Sequence, residues 1–209
     1  MKVNEIFLSI QGEGLSAGFP TVFIRFTGCN LRCSYCDTAY AYYEGDEMTC
    51  REIFNIIQKY GYKRVCLTGG EPLLQDGLGE LLGLLKGYTV TIETNGSVRI
   101  DKITMIEGHS FVMDMKAPSS GHDSDMLPEN FDCLSEKDEI KFVIGSRKDY
   151  EWSKSIIDNY HGKSIITFSP VYGTVSYQSI VDWILKDRLD VRFQLQLHKL
   201  IWDPSVRGV

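Results

Sequence analysis

Three cysteines within the segment 28–38 are the residues of this sequence best placed to do chemistry. Cys29, Cys33 and Cys36 follow one another with the spacing C-x3-C-x2-C. Three thiolates this close cannot all pair as disulfides, but they can converge on one metal centre if the backbone loops around it. Thiolate is the soft ligand that zinc and iron–sulfur clusters select. Three ligands are one short of a structural zinc site or of a 4Fe–4S cluster. The pattern therefore predicts a centre with one metal position open to a small molecule.

A structural zinc site is the alternative interpretation of the same cysteines. It requires a fourth ligand, and the first of the four histidines, His109, lies far along the chain from the triplet. The sequence thus favours an open iron–sulfur cluster over zinc. The other three cysteines, Cys50, Cys66 and Cys133, stand alone, and each is expected to be a small buried apolar residue.

Length and composition predict a single domain over residues 1–209. The chain is 43% hydrophobic, carries a net charge of −6 and has a pI near 5.3. An acidic chain lacks the electrostatic footprint of a nucleic-acid binder, so a small-molecule substrate is expected. The sequence has no apolar run of membrane-spanning length and no signal-peptide pattern, which predicts a cytoplasmic protein without a membrane partner. In that compartment clustered cysteines are typical of metal or catalytic sites.

Apolar strands alternate with amphipathic helices along most of the chain. This alternation predicts an α/β fold: a partial, open (β/α) barrel with a mostly parallel sheet of about six strands. A capping box at Thr49 and Glu52 marks the start of one helix, and Asp76 is expected to cap the next. The last strand is expected to run from Val191 to Leu197. Polar and glycine-rich motifs follow the strands, at the sheet edge where α/β folds carry their active sites.

One glycine-rich motif lies outside this alternation, and one charged residue lies inside an apolar run. Gln11-Gly12-Glu13-Gly14 marks a tight loop, either one that approaches a ligand closely or an ordinary turn. Arg25 stands inside the apolar run 21–27. A charged residue in a buried strand needs a partner, which is either an acid in the core or an anionic ligand.

The cysteine triplet, Tyr35 just before its last member, and Gly69-Gly70-Glu71-Pro72 after a later strand resemble the radical S-adenosylmethionine superfamily. Within it the chain is similar to the 7-carboxy-7-deazaguanine synthase family over about residues 5–202. The motifs that carry this narrower resemblance are Gln11–Gly14, Arg25–Leu31, Cys36–Thr38, Thr68–Pro72, Glu93–Ser97 and Gln196–Lys199.

The resemblance implies two metal sites and a cofactor. Cys29, Cys33 and Cys36 would bind a 4Fe–4S cluster, whose open iron is chelated by S-adenosylmethionine, and Thr38 would contact Mg2+. Asp37 would support the magnesium site or contact S-adenosylmethionine. The residues that the resemblance places at S-adenosylmethionine are Tyr35, Cys36, Asp37, Gly70, Glu71, Asp114, Met115, Lys116, Ser169, Pro170, Val171 and Tyr172.

The resemblance also implies a reaction. A 5′-deoxyadenosyl radical abstracts hydrogen from 6-carboxy-5,6,7,8-tetrahydropterin, the ring contracts, ammonia is lost and 7-carboxy-7-deazaguanine forms. The substrate-binding residues implied are Ile10, Gln11, Gly12, Arg25, Thr68, Glu93, Asn95 and His198. For Glu93 and Asn95 a loop-capping role stays open, and for His198 the role of a satisfied core histidine. A homodimer and an electron donor such as flavodoxin or ferredoxin are implied as well.

One departure from the family pattern lies in the tail. Some members end a few residues after the His-Lys pair, whereas this chain continues through Trp202 to Val209. The extra residues either fold over the pocket or serve an interface. Two other functions stay open: a glycyl-radical activase, which shares the cysteine triplet, and a non-catalytic metal-binding or electron-transfer module. The Gln-Gly-Glu-Gly loop and the terminal His-Lys pair argue against the activase.

Overall fold

The computed structural model describes residues 1–209, and its strands form one nine-stranded sheet. The strands are β1 (Lys2–Ile10), β2 (Pro20–Phe26), β3 (Asp46–Glu47), β4 (Arg64–Gly69), β5 (Thr89–Thr94), β6 (His109–Met115), β7 (Glu139–Ile144), β8 (Ile165–Pro170) and β9 (Arg192–Phe193). The helices are α1 (Cys50–Tyr60), α2 (Leu78–Leu84), α3 (Arg147–Ile157), α4 (Tyr177–Asp187) and α5 (His198–Ile201).

The sheet is mostly parallel and open. Its spatial order is β3-β1-β2-β4-β5-β6-β7-β8-β9, and every pair from β2 to β9 is parallel. The two edge strands, β3 and β9, do not pair with each other, so the barrel does not close. The predicted α/β fold is confirmed, with six long parallel strands as expected. The structure adds the antiparallel strands β1 and β3 and the two-residue β9.

The two helix starts predicted in the first half of the chain had different outcomes. Thr49 accepts from the Glu52 backbone N–H, and the Glu52 carboxylate accepts from Thr49 N, so the capping box is confirmed. Asp76, however, caps nothing. Gly77 is the N-cap of α2 and has a left-handed φ of +88°, a conformation that glycine adopts without the steric cost an aspartate would meet.

The expected last strand, 191–197, is wrong beyond Phe193. Arg192 and Phe193 pair with Thr167 and Phe168 of β8. The same register would bring Leu195 opposite Pro170, which has no N–H to continue the ladder. The chain turns away instead: Leu197 donates to the carbonyl of Gly12, and α5 begins at His198.

Two hydrophobic cores lie under the two halves of the sheet. One packs α1 and α2 on β2, β4 and β5, and the other packs α3 and α4 on β6, β7 and β8. Cys29 and Cys33 pack against the second core, so the cysteine loop rests on an ordered surface. Cys50 and Cys66 are buried as expected, but Cys133 is exposed because it ends a surface turn. None of the helices has both the length and the apolar character that a membrane crossing requires.

Candidate active site

A cavity of about 450 Å³ opens at the edge where the parallel strands end. This volume lies within the range of small-molecule sites, and its place is the one that open α/β sheets use for ligands. Of all the site residues predicted from the sequence, only Glu71, Asp114 and Met115 do not line it. The fold therefore brings the motifs into one space.

Two loops meet at the floor of the cavity with their backbones in contact. Gly28, just after β2, accepts a hydrogen bond from the backbone N–H of Glu71 over 2.8 Å. A Cβ atom on Gly70 would overlap the carbonyl of Gly28, and Gly69 has a φ of +113° with the Phe26 backbone beside it. The Gly69-Gly70 pair is therefore needed for this close approach.

The three thiols of the cysteine loop are free and half-buried, and all three line the cavity. The Cys29 sulfur accepts hydrogen bonds from the backbone N–H of Leu31, at 3.4 Å, and from Asn95 Nδ2, at 3.6 Å. Cys36 Sγ lies 3.8 Å from Thr38 Oγ1. Burial raises the pKa of the Cys33 thiol, and the nearby Lys116 ammonium only partly offsets this.

The Glu71 side chain points away from the cavity and is fully buried. Its two oxygens accept from Thr94 Oγ1 (2.8 Å), Asn95 N (2.7 Å) and Leu73 N (3.0 Å). Burial raises the pKa of Glu71 to about 7. Only the backbone at this position faces the cysteine loop, so the carboxylate holds the end of β4 to the end of β5.

A chain of buried charges crosses the cavity wall from β6 to the Gln-Gly-Glu-Gly loop. Lys141 Nζ lies 2.9 Å from Glu13 Oε2 and 3.1 Å from Asp114 Oδ1, and Lys116 Nζ donates to Asp114 Oδ2 at 2.5 Å. Burial alone would raise the pKa of both carboxyl groups. Lys116 and Lys141 outweigh it at Asp114, Lys141 and the Gln196 hydrogen bond outweigh it at Glu13, and both pKa values are lowered. Asp114 does not line the cavity itself, but it pairs with Lys116 and Lys141, which do. Met115 packs in the core.

Arg25 has the acidic partner that its place in a strand requires. Its Nε donates to Glu5 Oε1 over 2.7 Å, and Tyr40 Oη donates to the same oxygen over 3.0 Å. The terminal guanidinium nitrogens of Arg25 make no hydrogen bond, although the residue lines the cavity. Arg25 can therefore have both expected partners at once. Its Nε is bonded to the acid Glu5, and its terminal nitrogens are available to an anionic ligand.

Glu93 is held by two other residues of the predicted substrate set. Thr68 Oγ1 donates to Glu93 Oε2 at 2.7 Å, and Gln11 Nε2 donates to Oε1 at 3.4 Å. The strand register places Thr68 beside Arg25. These residues therefore form one polar wall, and Glu93 is part of the cavity rather than a loop cap alone.

His198 reaches the cavity from the start of α5, not from the last strand as expected. Its ring lies against Gly12, where any Cβ would collide with the imidazole, so the glycine is required. Burial lowers the pKa of His198. Asn95 also lines the cavity, and its amide bonds to Asn30 Oδ1 over 3.0 Å while its oxygen accepts from Ser97 N over 2.9 Å. The loop-capping role left open for Asn95 is therefore present alongside its place at the Cys29 sulfur.

Comparison with known proteins identifies the relatives of this chain. The radical SAM superfamily model matches residues 23–185. A 7-carboxy-7-deazaguanine synthase from Clostridium acetobutylicum is 47% identical over 100% of this chain and 99% of its own length. The enzyme of that name from Chlorobaculum tepidum is 43% identical over 100% of this chain and 97% of its own length. This chain belongs to the 7-carboxy-7-deazaguanine synthase family.

A solved structure supports the fold of this family member independently. The crystal structure of QueE from Escherichia coli superposes with a TM-score of 0.73 and covers 93% of both chains, although the sequences are 23% identical. At that identity the likeness concerns the fold: a mostly parallel, open α/β sheet.

Radical SAM enzymes use a 4Fe–4S cluster and S-adenosylmethionine, and the residues of this family member fit both. No group of three or more His, Cys, Asp or Glu side chains lies close enough together to bind a single metal ion. A cubane cluster needs its thiolates further apart than one ion does, because each thiolate binds a different iron. N–H groups directed at the Cys29 sulfur are also typical of cluster ligands. Beside Cys36, the Tyr35 hydroxyl is buried without a partner, which suits a cofactor contact.

Sequence reasoning missed several cavity residues. Glu13 lies inside a motif from which only Gln11 and Gly12 were assigned to the site. Lys141 is a charged residue in the apolar strand β7, which is the same signal that identified Arg25. Gln196 donates to Glu13 Oε1 over 2.8 Å, and nothing in its sequence context predicts this contact.

Proposed function

We propose that this protein converts 6-carboxy-5,6,7,8-tetrahydropterin to 7-carboxy-7-deazaguanine with loss of ammonia, in the biosynthesis of queuosine and other deazapurines. One observation carries the proposal: a single cavity holds the cysteine triplet and, on the β2–β4–β5 wall, Arg25 beside the bonded set Thr68, Glu93 and Gln11. The first group fits a radical-generating cofactor. The second fits an anionic, multiply hydrogen-bonding heterocycle.

The cofactor end of the cavity is proposed to work through four groups of this chain. When bound, the cluster and S-adenosylmethionine supply a 5′-deoxyadenosyl radical. Cys29, Cys33 and Cys36 hold the cluster. The Gly70 backbone, the unpartnered Tyr35 hydroxyl and the segment Ser169–Tyr172 surround the space left for S-adenosylmethionine.

The substrate end is proposed to orient the pterin by charge and by hydrogen bonds. The terminal nitrogens of Arg25 bind the carboxylate, since a guanidinium fork matches two carboxylate oxygens. Glu93, which accepts from Thr68 and Gln11, retains lone pairs for N–H groups of the pterin. Ile10 and Gly12 supply backbone groups at the same wall, and His198 closes it from α5.

A magnesium site at Thr38 is a further part of the proposal. A hydroxyl, a substrate carboxylate and waters are ligands that suit Mg2+, which binds oxygen and keeps several waters. Asp37, the neighbouring residue, also lines the cavity and is paired with Lys199 over 2.8 Å. Asp37 therefore supports the loop that presents the Thr38 hydroxyl.

We propose a single domain, a cytoplasmic location and, from the family resemblance, a homodimer that receives electrons from a flavodoxin or ferredoxin. Light scattering coupled to gel filtration tests the dimer. Reduction of the reconstituted cluster by purified flavodoxin or ferredoxin tests the donor.

The decisive experiment is anaerobic turnover. The cluster is reconstituted, iron and sulfide are measured, and reductant, S-adenosylmethionine, Mg2+ and carboxytetrahydropterin are added. We expect carboxydeazaguanine from the wild type, neither cluster nor product from Cys33→Ala, and a cluster without turnover from Arg25→Ala. A cluster-loaded wild type that makes no product contradicts the proposal. If its spectrum also does not respond to S-adenosylmethionine, the electron-transfer module is favoured, whereas hydrogen abstraction from a glycyl-radical enzyme favours the activase.

A further inference from the structure

Residues 203–209, which form the tail beyond Trp202, all line the cavity. The tail begins with a tight turn in which Asp203 Oδ1 accepts from Ser205 N and Ser205 Oγ, at 2.9 and 2.6 Å. Val206 N donates to the Asp203 carbonyl. Further on, Gly208 lies beside the Glu5 carboxylate. Of the two places left open for the tail, the structure therefore shows the one over the pocket.

Arg207 is fixed in the tail by an aromatic ring. Its guanidinium carbon lies 3.8 Å from the centroid of Tyr40, within the range of a cation–π contact. Arg207 forms no ion pair and makes no side-chain hydrogen bond with the rest of the chain. All five of its N–H donors are therefore unused by the protein.

The same tyrosine also contacts Arg25. The Arg25 guanidinium carbon lies 5.7 Å from the Tyr40 centroid, so one ring touches both arginines. Glu5 is the only carboxylate bonded to this group, through Arg25 Nε and Tyr40 Oη. The terminal nitrogens of both guanidinium groups therefore have no carboxylate bonded to them. An anion bound between the arginines would remove their mutual repulsion.

We propose that Arg207 binds the substrate carboxylate together with Arg25, so that the tail recognises the carboxylate and covers it. Tyr40 is the positioning residue, because it orients one guanidinium and supports the acid that orients the other. The tail then selects for a pterin that carries a carboxylate over one that does not. This inference rests on the proposed function, since it takes its ligand from that reaction.

The test is equilibrium binding, which does not depend on turnover. Cluster-loaded protein with S-adenosylmethionine is titrated anaerobically with 6-carboxypterin and with pterin, and their intrinsic fluorescence is followed. Arg207→Gln is expected to weaken 6-carboxypterin binding about tenfold, since a charge-assisted hydrogen bond is lost, and to leave pterin binding unchanged. Arg207→Lys keeps the charge but loses the planar group. Its affinity for 6-carboxypterin is expected to lie between that of the wild type and that of Arg207→Gln.

Arg51→Gln is the matched control, because Arg51 is exposed on α1 and away from the cavity. In turnover, Arg207→Gln is expected to raise the KM for the substrate and to leave kcat nearly unchanged. Equal binding of 6-carboxypterin by wild type and Arg207→Gln overturns the inference. Equal weakening of both ligands also overturns it, because the tail would then only pack on the ring. If the wild type binds 6-carboxypterin selectively but makes no product, the proposed function fails while the carboxylate site stands.

Discussion

Lys199 Nζ donates a hydrogen bond to Asp37 Oδ2 over 2.8 Å and so joins α5 to the loop that carries the three cysteines. Partial desolvation by the surrounding protein would raise the pKa of Asp37, but the Lys199 ammonium outweighs it and the pKa is lowered. The carboxylate is about half exposed, at 52%, so the pair contributes little to global stability. Its importance is local, because Thr38 is the next residue.

Removal of this ammonium is predicted to favour a bound cation. In Lys199→Met the Asp37 carboxylate is unpaired and one positive charge is absent beside Thr38. The Mg2+ concentration that gives half-maximal turnover is expected to fall about threefold to tenfold, as roughly 1 kcal/mol of repulsion is lost. Lys186→Met, an exposed residue on α4 without an ion pair, serves as the control. An unchanged or increased Mg2+ requirement would contradict the proposed position of the metal.

Thr68 is predicted to act by holding Glu93. Thr68→Val keeps the shape but removes the hydrogen bond of 2.7 Å to Glu93 Oε2. Turnover is expected to fall roughly tenfold, the effect of about 1 kcal/mol or more from a freed, partly buried carboxylate, while iron content stays at the wild-type level. Thr91→Val on β5, outside the cavity, is the comparison. Equal activity of the two variants would show that Glu93 needs no support from Thr68.

The cysteine loop is held from outside by the turn after β6. Ser34 Oγ donates to the Ser119 carbonyl at 2.6 Å, Ser34 N donates to the Ser120 carbonyl at 3.1 Å, and Ser119 N donates to Asp149 Oδ1 at 2.8 Å. Asp149 is fully buried at the start of α3, so the cysteine loop is tied through this turn to the folded core.

Ser34→Ala is therefore predicted to accelerate loss of the cluster. Removal of one hydrogen bond worth about 1 kcal/mol should raise the rate about fivefold. The measurement is the decay of visible absorbance after an iron chelator is added. Ser155→Ala, an exposed serine of α3, is the matched control. Decay at the same rate in both variants would mean that the turn does not limit the opening of the loop.

Glu71 is predicted to make stability depend on pH. Its pKa is about 7 in the folded protein against 4.5 ordinarily, so the folded state binds the proton more tightly than the unfolded state does. Stability should then decrease as the pH rises from about 4.5 through 7, by at most about 3 kcal/mol. Glu71→Gln lacks this proton. The midpoint of thermal unfolding of the wild type, relative to that of Glu71→Gln, should therefore be lower at pH 8 than at pH 5. Glu107→Gln, in an exposed loop, should show no such shift.

The sequence predicted the fold well where the conformation of a residue depends on its neighbours in the sequence. The capping box at Thr49 and the apolar strands depend on residues close in sequence, and the structure has them in the expected places. The end of β9 was not predictable in this way. It depends on Pro170 in the neighbouring strand, and pairing partners cannot be read from either strand alone.

The candidate site divides along the same line. Spacing alone grouped Cys29, Cys33 and Cys36, and the charge inside a strand identified Arg25. The side-chain direction of Glu71 could not be predicted, because it depends on the three donors around it. The position of Arg207 is a matter of where the chain returns after α5, and it has no signal within the tail itself.

The exposure of the six thiols provides a chemical count of cluster occupancy. Cys29, Cys33 and Cys36 are half-buried in an open cavity, Cys133 is exposed, and Cys50 and Cys66 are buried. An alkylating reagent should therefore modify all four accessible thiols of a chain without its cluster and Cys133 alone in a loaded chain. Mass spectrometry of the alkylated protein then reports, molecule by molecule, the loaded fraction that iron analysis gives only as an average.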